Sequence, residues 1–234
     1  GGARWREWQC LSGATAIATV ETDDGVVRVL YSLHDEAHDR ASLFEASVGY
    51  DGTHGVPRTI AVIPAGPKPI PPWFIDALTK TFAAEGRTQA VSSTNLVALF
   101  GTDADIAGGR LTEALNALEA ANDTVLYIAD PRLTPWSEKA IRQADIVLRV
   151  GTADRVTTSP VPESEHERFA ARLLNPVAHR LVLLHERRKA PVGTRHWLKG
   201  RAVRMHHHVA MTDTRDVERL ARFILGRALG LVTC

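Results

Sequence analysis

Residues 64–72, Pro-Ala-Gly-Pro-Lys-Pro-Ile-Pro-Pro, stand between the apolar run RTIAVIP and a helical pattern, where an α/β protein keeps a phosphate-binding loop. Such a loop needs successive free backbone N–H groups, a flexible glycine, and a lysine followed by serine or threonine. Gly66 and Lys68 are present, but Pro64, Pro67, Pro69, Pro71 and Pro72 have no N–H to give. Lys68 is expected to be a solvated loop lysine. Asp130 ends the run DTVLYIAD, where a Walker-B carboxylate would sit. With no partner in the first loop, it is expected to serve as a strand-end or turn aspartate. No cofactor is expected.

The triplet His206, His207 and His208 raises metal chemistry, because imidazole is a common zinc ligand. Neighbouring residues on a strand point to alternating faces, so at most two of the three converge. His185 and His196 are the nearby candidates to complete a shell. A structural or polar-surface role is expected, with no metal. The run HERRKAPVGTRHWLKGRAVR gathers Arg187, Arg188, Lys189, Arg195, Lys199, Arg201 and Arg204 around Trp197. It suits acidic lipid headgroups or a neighbouring domain, but a solvated loop face is the expected role. Trp73 and Trp136 read as packing anchors at helix starts.

The 234 residues suffice for one large domain, or a main domain with a small satellite. The 28 lysines and arginines nearly balance the 27 aspartates and glutamates, so nucleic acid is not an expected partner. Cys10 and Cys234 have no metal-ligand spacing and build no disulfide framework. No apolar run approaches the roughly 20 residues of a transmembrane helix, and GGARWREWQC contains no signal-peptide core. A cytoplasmic setting is expected, with membrane contact peripheral. Both ends are expected to be cuts through something larger.

AIATVETDDGVVRVLY offers two β-rich runs around Asp24-Gly25, a hairpin signal. Ser32 and Asp35 have capping-box spacing, which predicts a helix over SLHDEAHDRASLFEAS, residues 32–47. Gly, Asp and Pro accumulate at residues 51–57, a linker between a segment 1–50 and a domain 58–234. From Arg58, apolar runs (RTIAVIP, NLVALFG, DTVLYIAD, DIVLRVG, RLVLLHE) alternate with helical patterns. Leu111, Ala114, Leu115 and Leu118 make one apolar stripe, and Val217, Leu220, Ala221 and Ile224 another. The continuous apolar runs suit buried parallel strands, so an α/β, mostly parallel, doubly wound sheet is expected, preceded by a small β-rich piece and a helix.

The segment YIADPRLTPWSEKAIRQADIVLRVG resembles proteins of the neuropathy-target-esterase family of patatin-type phospholipases, in which a strand, a TPW turn, a short helix and an RQAD step lead to another strand. Tyr127, Asp130, Leu133, Thr134, Pro135, Trp136, Arg142, Gln143, Ala144 and Asp145 carry the match. RLVLLHE, HWLKGR and MHHHV follow in the family's order, and RFILGRALGLV resembles the stretch leading into its patatin domain. The fold implied is a degenerate MinD-like P-loop domain. The activity implied for the parent is that of a serine esterase of lysophospholipase type, using a Ser and Asp pair with backbone oxyanion donors.

No Gly-x-Ser-x-Gly elbow occurs here, so no catalytic residue is assigned and the chain itself is expected to catalyse nothing. A regulatory or scaffolding role beside a patatin catalytic domain, in the same chain or another, is the reading favoured. A divergent nucleotide-binding ATPase or a cyclic-nucleotide sensor is the alternative. REWQCLSGATAIATV is similar to the phosphate-binding cassette of cyclic-nucleotide-binding domains, matching at Glu7, Ala18, Thr19 and Val20. Arg6 replaces that cassette's glycine and Ala16 its phosphate-gripping arginine. The resemblance makes Glu7 a vestigial cyclic-nucleotide contact.

Overall fold

The computed structural model describes residues 56–101, 109–153, 159–186 and 193–227 with their side chains, and residues 8–9, 14–21, 26–35 and 40–49 by backbone alone. It divides into two units: residues 1–56 with 226–234, and residues 57–225.

The first unit holds an antiparallel sheet in chain order: β1 (Trp8–Gln9), β2 (Ala14–Glu21), β3 (Val26–Asp35) and β4 (Arg40–Gly49). Asp24-Gly25 falls between β2 and β3, which pair through Glu21 and Val27 as a hairpin requires. The helix expected over residues 32–47 does not form. Ser32 to Asp35 finish β3, and residues 40–47 belong to β4, in register from Val26 opposite Gly49 to Asp35 opposite Arg40. A capping-box spacing is a weak local signal. A ten-residue ladder satisfies backbone groups along its whole length and overrides it.

The second unit runs β5 (Thr59–Pro64), α1 (Pro72–Glu85), β6 (Thr88–Ser92), α2 (Leu96–Phe100), α3 (Gly109–Ala121), β7 (Thr124–Ile128), α4 (Pro135–Gln143) and β8 (Ile146–Thr152). It continues through α5 (Glu165–Leu173), a 3-10 turn (Pro176–Ala178), β9 (His179–His185), α6 (Thr194–Leu198), β10 (Met205–Ala210) and α7 (Thr214–Ile224). The six strands form one sheet, all parallel, in the order β10-β9-β8-β5-β7-β6. The expected α/β fold is therefore present.

Side-chain alternation sorts the core onto two faces. Ile60 and Val62 of β5 pack with Phe74, Leu78 and Phe82 of α1 and with Val217 and Leu220 of α7. Ala61 and Ile63 face Leu111 and Leu115 of α3, Trp136 of α4 and Phe169 of α5. Strands covered on both faces need apolar residues at every position, which is why β5 and β7 are unbroken runs. NLVALFG was expected as one of those runs, but it supplies the short helix α2. The strand is instead TQAVS, whose place at the sheet edge leaves only Val91 buried and so removes the apolar signal.

Candidate functional site

The chain passes from β5 to β6 and β7 on one side and then to β8 on the other, so the strand order reverses at the carboxyl end of β5. Ligands of open parallel sheets bind at such a switch point. Gly66 adopts the left-handed φ of 70° there. Its N–H, the donor a phosphate would use, donates to Glu167 Oε2 of α5 at 2.9 Å. The Ala65 N–H goes to the Val150 carbonyl at 2.8 Å. The intervening prolines have none, and Lys68 is exposed, as expected of a loop lysine.

Glu167 is held from several sides. Ser164 N–H donates to Oε2 at 2.8 Å, completing a capping box at the start of α5. Arg201 donates through Nε to Oε1 at 2.7 Å and through Nη2 to Oε2 at 3.1 Å. The remaining Arg201 contacts are with the carbonyls of Val161, Pro162 and Trp197. Both side chains are fully buried. Burial alone would raise the Glu167 carboxyl; the Arg201 hydrogen bond and charge, with the Gly66 and Ser164 N–H groups, outweigh it and hold the carboxyl below its ordinary value. The chain therefore supplies its own anion to the loop.

The loop glycine also serves a tryptophan. A methyl group on Gly66 would lie 3.1 Å from Cη2 of Trp197, and one on Gly151 would lie 2.4 Å from its Cζ3. The indole occupies the slot those two glycines leave, buried at 4% exposure. This corrects the reading of the basic run as a solvated face. Arg195 and Lys199 are exposed, whereas Trp197 and Arg201 are internal, and residues 187–189 lie outside the described residues. Sequence reasoning missed the Glu167–Arg201 pair, although Ser164-x-x-Glu167 is a readable capping box.

The residues that carry the family resemblance prove to be staples. Asp130 accepts from Ser93 Oγ and Thr134 Oγ1, each at 2.5 Å, and its N–H donates to Ser137 Oγ at 3.0 Å. That ties the turn after β6 to the start of α4, the turn role expected of it. Thr134 caps α4, Pro135 takes the first helical position, and Trp136 Nε1–H donates to the Ile128 carbonyl at 2.9 Å. Tyr127 donates to Glu119 at 2.5 Å. Asp145 Oδ2 receives the N–H groups of Arg58 and Thr59 at 2.8 and 3.0 Å, fixing the start of β5. Trp73 stacks edge-on to Phe74, the anchoring role expected for it.

A cleft of about 530 Å³ opens between α1 and the ends of β6 and β7, lined by Ile70, Ile75, Asp76, Lys80, Ser93 and Asp130 among others. Ser93 and Asp130 make a serine–carboxylate pair, the residue types of a dyad. Two of the amides near it are committed, Ser92 N–H to Asn95 Oδ1 and Asn95 N–H to the Ser92 carbonyl. Pro131 offers none. The pair reads as a turn staple. Glu7, for which the resemblance implies a vestigial cyclic-nucleotide contact, lies outside the described residues.

His206 and His208 share one face of β10 with His185 of β9, while His207 points the other way, against Phe223. His196 accepts from Arg195 in α6. Elsewhere, His179 Nδ1 accepts from buried Arg149 at 3.1 Å, which leaves the ring proton on Nε2, facing the Leu174 carbonyl. Burial first, and the Arg149 charge second, push His179 down to about 4; burial, then Arg180 and the flanking histidines, do the same to His207. Their folded values lie below an unfolded value of 6.5, so the unfolded chain binds more protons in that window. Stability is expected to be complete above pH 6.5 and to fall between pH 6.5 and 4. Urea midpoints measured across that range check this, and His179→Gln should flatten the slope.

Among the described residues, no helix is long and apolar enough to cross a membrane. Residues 57–226 match the model of the neuropathy target esterase family P-loop like domain. The chain is 36% identical over 163 residues to lysophospholipase nte1 of Neosartorya fischeri, covering 66% of this chain and 10% of that protein. It is 35% identical over 164 residues to lysophospholipase NTE1 of Mycosarcoma maydis, covering 66% of this chain and 8% of that one. The chain thus spans about a tenth of the curated relatives it matches. No solved structure matches it. The chain belongs to the neuropathy target esterase family, with the family's P-loop-like domain at residues 57–226.

Proposed function

We propose that this P-loop-like domain is a non-catalytic spacer that positions or restrains a patatin-type serine esterase domain, in the same polypeptide or in an assembly. The observation that carries the reading is Glu167 filling the Gly66 N–H, in a loop where prolines remove the other donors. A rigid unit with its anion site occupied from within suits placement better than nucleotide turnover. The relatives are lysophospholipases by name, and on this reading that activity resides in another part of the parent, near a membrane surface that the parent approaches peripherally.

The test compares hydrolysis of a short-chain phenyl ester and of lysophosphatidylcholine by residues 1–234 and by a fusion of them to the patatin domain. Activity in the fusion alone is expected, with its rate altered when the P-loop-like domain is deleted. Turnover by residues 1–234 would overturn the proposal, and Ser93→Ala would then be the first variant to make. An unchanged rate on deletion would equally remove the positioning role.

A further inference from the structure

We propose that the side-chain amide of Asn95 closes the β6 edge of the parallel sheet to strand pairing, standing in for one residue of an added strand, so that a second copy of this chain cannot extend the sheet there. β6 is the last strand on its side, beyond β7. Thr124 N–H donates to the Arg87 carbonyl at 3.1 Å, and Gln89 and Val91 stand opposite Val125 and Tyr127. Peptide groups alternate in direction along a parallel strand, so Arg87, Gln89 and Val91 turn theirs toward β7 while Thr88, Ala90 and Ser92 turn theirs outward. An outward row of this kind is a template for another chain.

Asn95 fills that row at its carboxyl end. Its Nδ2 donates to the Ala90 carbonyl at 3.0 Å, and its Oδ1 accepts from the Ser92 N–H at 2.8 Å. Those are the two groups that the residue placed opposite Val91 by an added parallel strand would use. Gln89 Nε2 gives the Ala90 carbonyl a second donor at 2.9 Å, and the Ser92 carbonyl accepts the Asn95 N–H at 3.1 Å. Among the described residues this leaves Thr88 and the Ala90 N–H to an incoming strand, short of the roughly three residues of the shortest ordinary strands. Asn95 also stands directly before α2, where asparagine is a favoured cap, yet its side chain makes no bond to that helix. The amide serves the strand edge instead. The partner excluded is a second copy, because a two-fold axis brings identical β6 edges together, each complementary to the other.

The inference stands apart from the spacer role and is read without any esterase assay. Residues 1–234 and their Asn95→Ala variant are compared by sedimentation over a dilution series, with amide NMR to locate the contact. Asn95→Ala is expected to self-associate at least about 10-fold more tightly than the unaltered protein, through the edge hydrogen bonds it frees, and dilution should shift its Thr88, Ala90 and Ser92 amides. Asn95→Asp keeps an acceptor for the Ser92 N–H and adds a charge at the edge, so it should associate no more than the unaltered protein. Hydrogen exchange of the unaltered protein needs no variant to fold: the Ser92 amide should exchange at least about 10-fold more slowly than that of Ala90, its outward neighbour on the same strand. Three results would each overturn the proposal: no association of Asn95→Ala through β6, equal association of Asn95→Asp, or a Ser92 amide that exchanges as fast as that of Ala90.

Discussion

Glu167→Ala is expected to lower the unfolding free energy of the α/β unit by about 3–5 kcal/mol, the cost of breaking a buried ion pair from one side. The substitution strands the fully buried Arg201 guanidinium and leaves the Gly66 and Ser164 N–H groups without their acceptor. It also opens the capping box of α5. Glu167→Gln keeps an acceptor oxygen and should fall between the two. Replacing both partners, Glu167→Met with Arg201→Met, should recover much of the loss, because no buried charge is then left alone. Urea unfolding of the four proteins decides the matter; a loss below about 1 kcal/mol for Glu167→Ala would refute the account. The carboxyl is held below its ordinary value of 4.5, so its contribution is full above that pH and fades as the solution becomes more acidic.

The second large effect is steric. In Gly151→Ala the new methyl group would lie 2.4 Å from Cζ3 and 2.6 Å from Cη2 of Trp197. Neither side can yield cheaply. Gly151 is part of β8, opposite Leu183 of β9 and one residue past the Pro64–Val150 pair with β5, and the indole is confined between Gly66, Val161 and Gly151. Overpacking of this kind should cost about 3 kcal/mol, read as a lower urea midpoint. Trp197→Leu in the same protein should return part of it by vacating the slot, although Trp197→Leu alone destabilises. That opposite sign in the two backgrounds is the diagnostic; simple addition of the two losses would show that the glycine does not serve the tryptophan.

The sheet was legible where strands are buried on both faces. RTIAVIP is apolar from Ile60 on, DIVLRVG is apolar along β8 but for the buried Arg149, and periodic leucines marked α3. It was illegible where context replaced pattern. TQAVS lies at an edge and carries no apolar run, while the β3–β4 ladder overrode a helical signal in residues 32–47. The loop's lack of phosphate donors could be read from its prolines, and the turn role of Asp130 from its isolation. The partner of Gly66 could not be read, because Glu167 is 101 residues away along the chain and Arg201 a further 34. Only folding brings them together. A basic run likewise does not announce which of its members is internal: Arg201 and Lys199 differ by two positions and are buried and exposed respectively.

The carboxylate in the loop also sets how this unit responds to the contents of the cell. A protein that binds a free anion only when folded gains stability by mass action, so its folded fraction rises and falls with ligand concentration. Glu167 is tethered to the loop it fills, and its effective concentration there is a property of the fold, constant across metabolic states. The support it gives the loop is therefore the same in a starved cell and a fed one, which suits the spacer role proposed above.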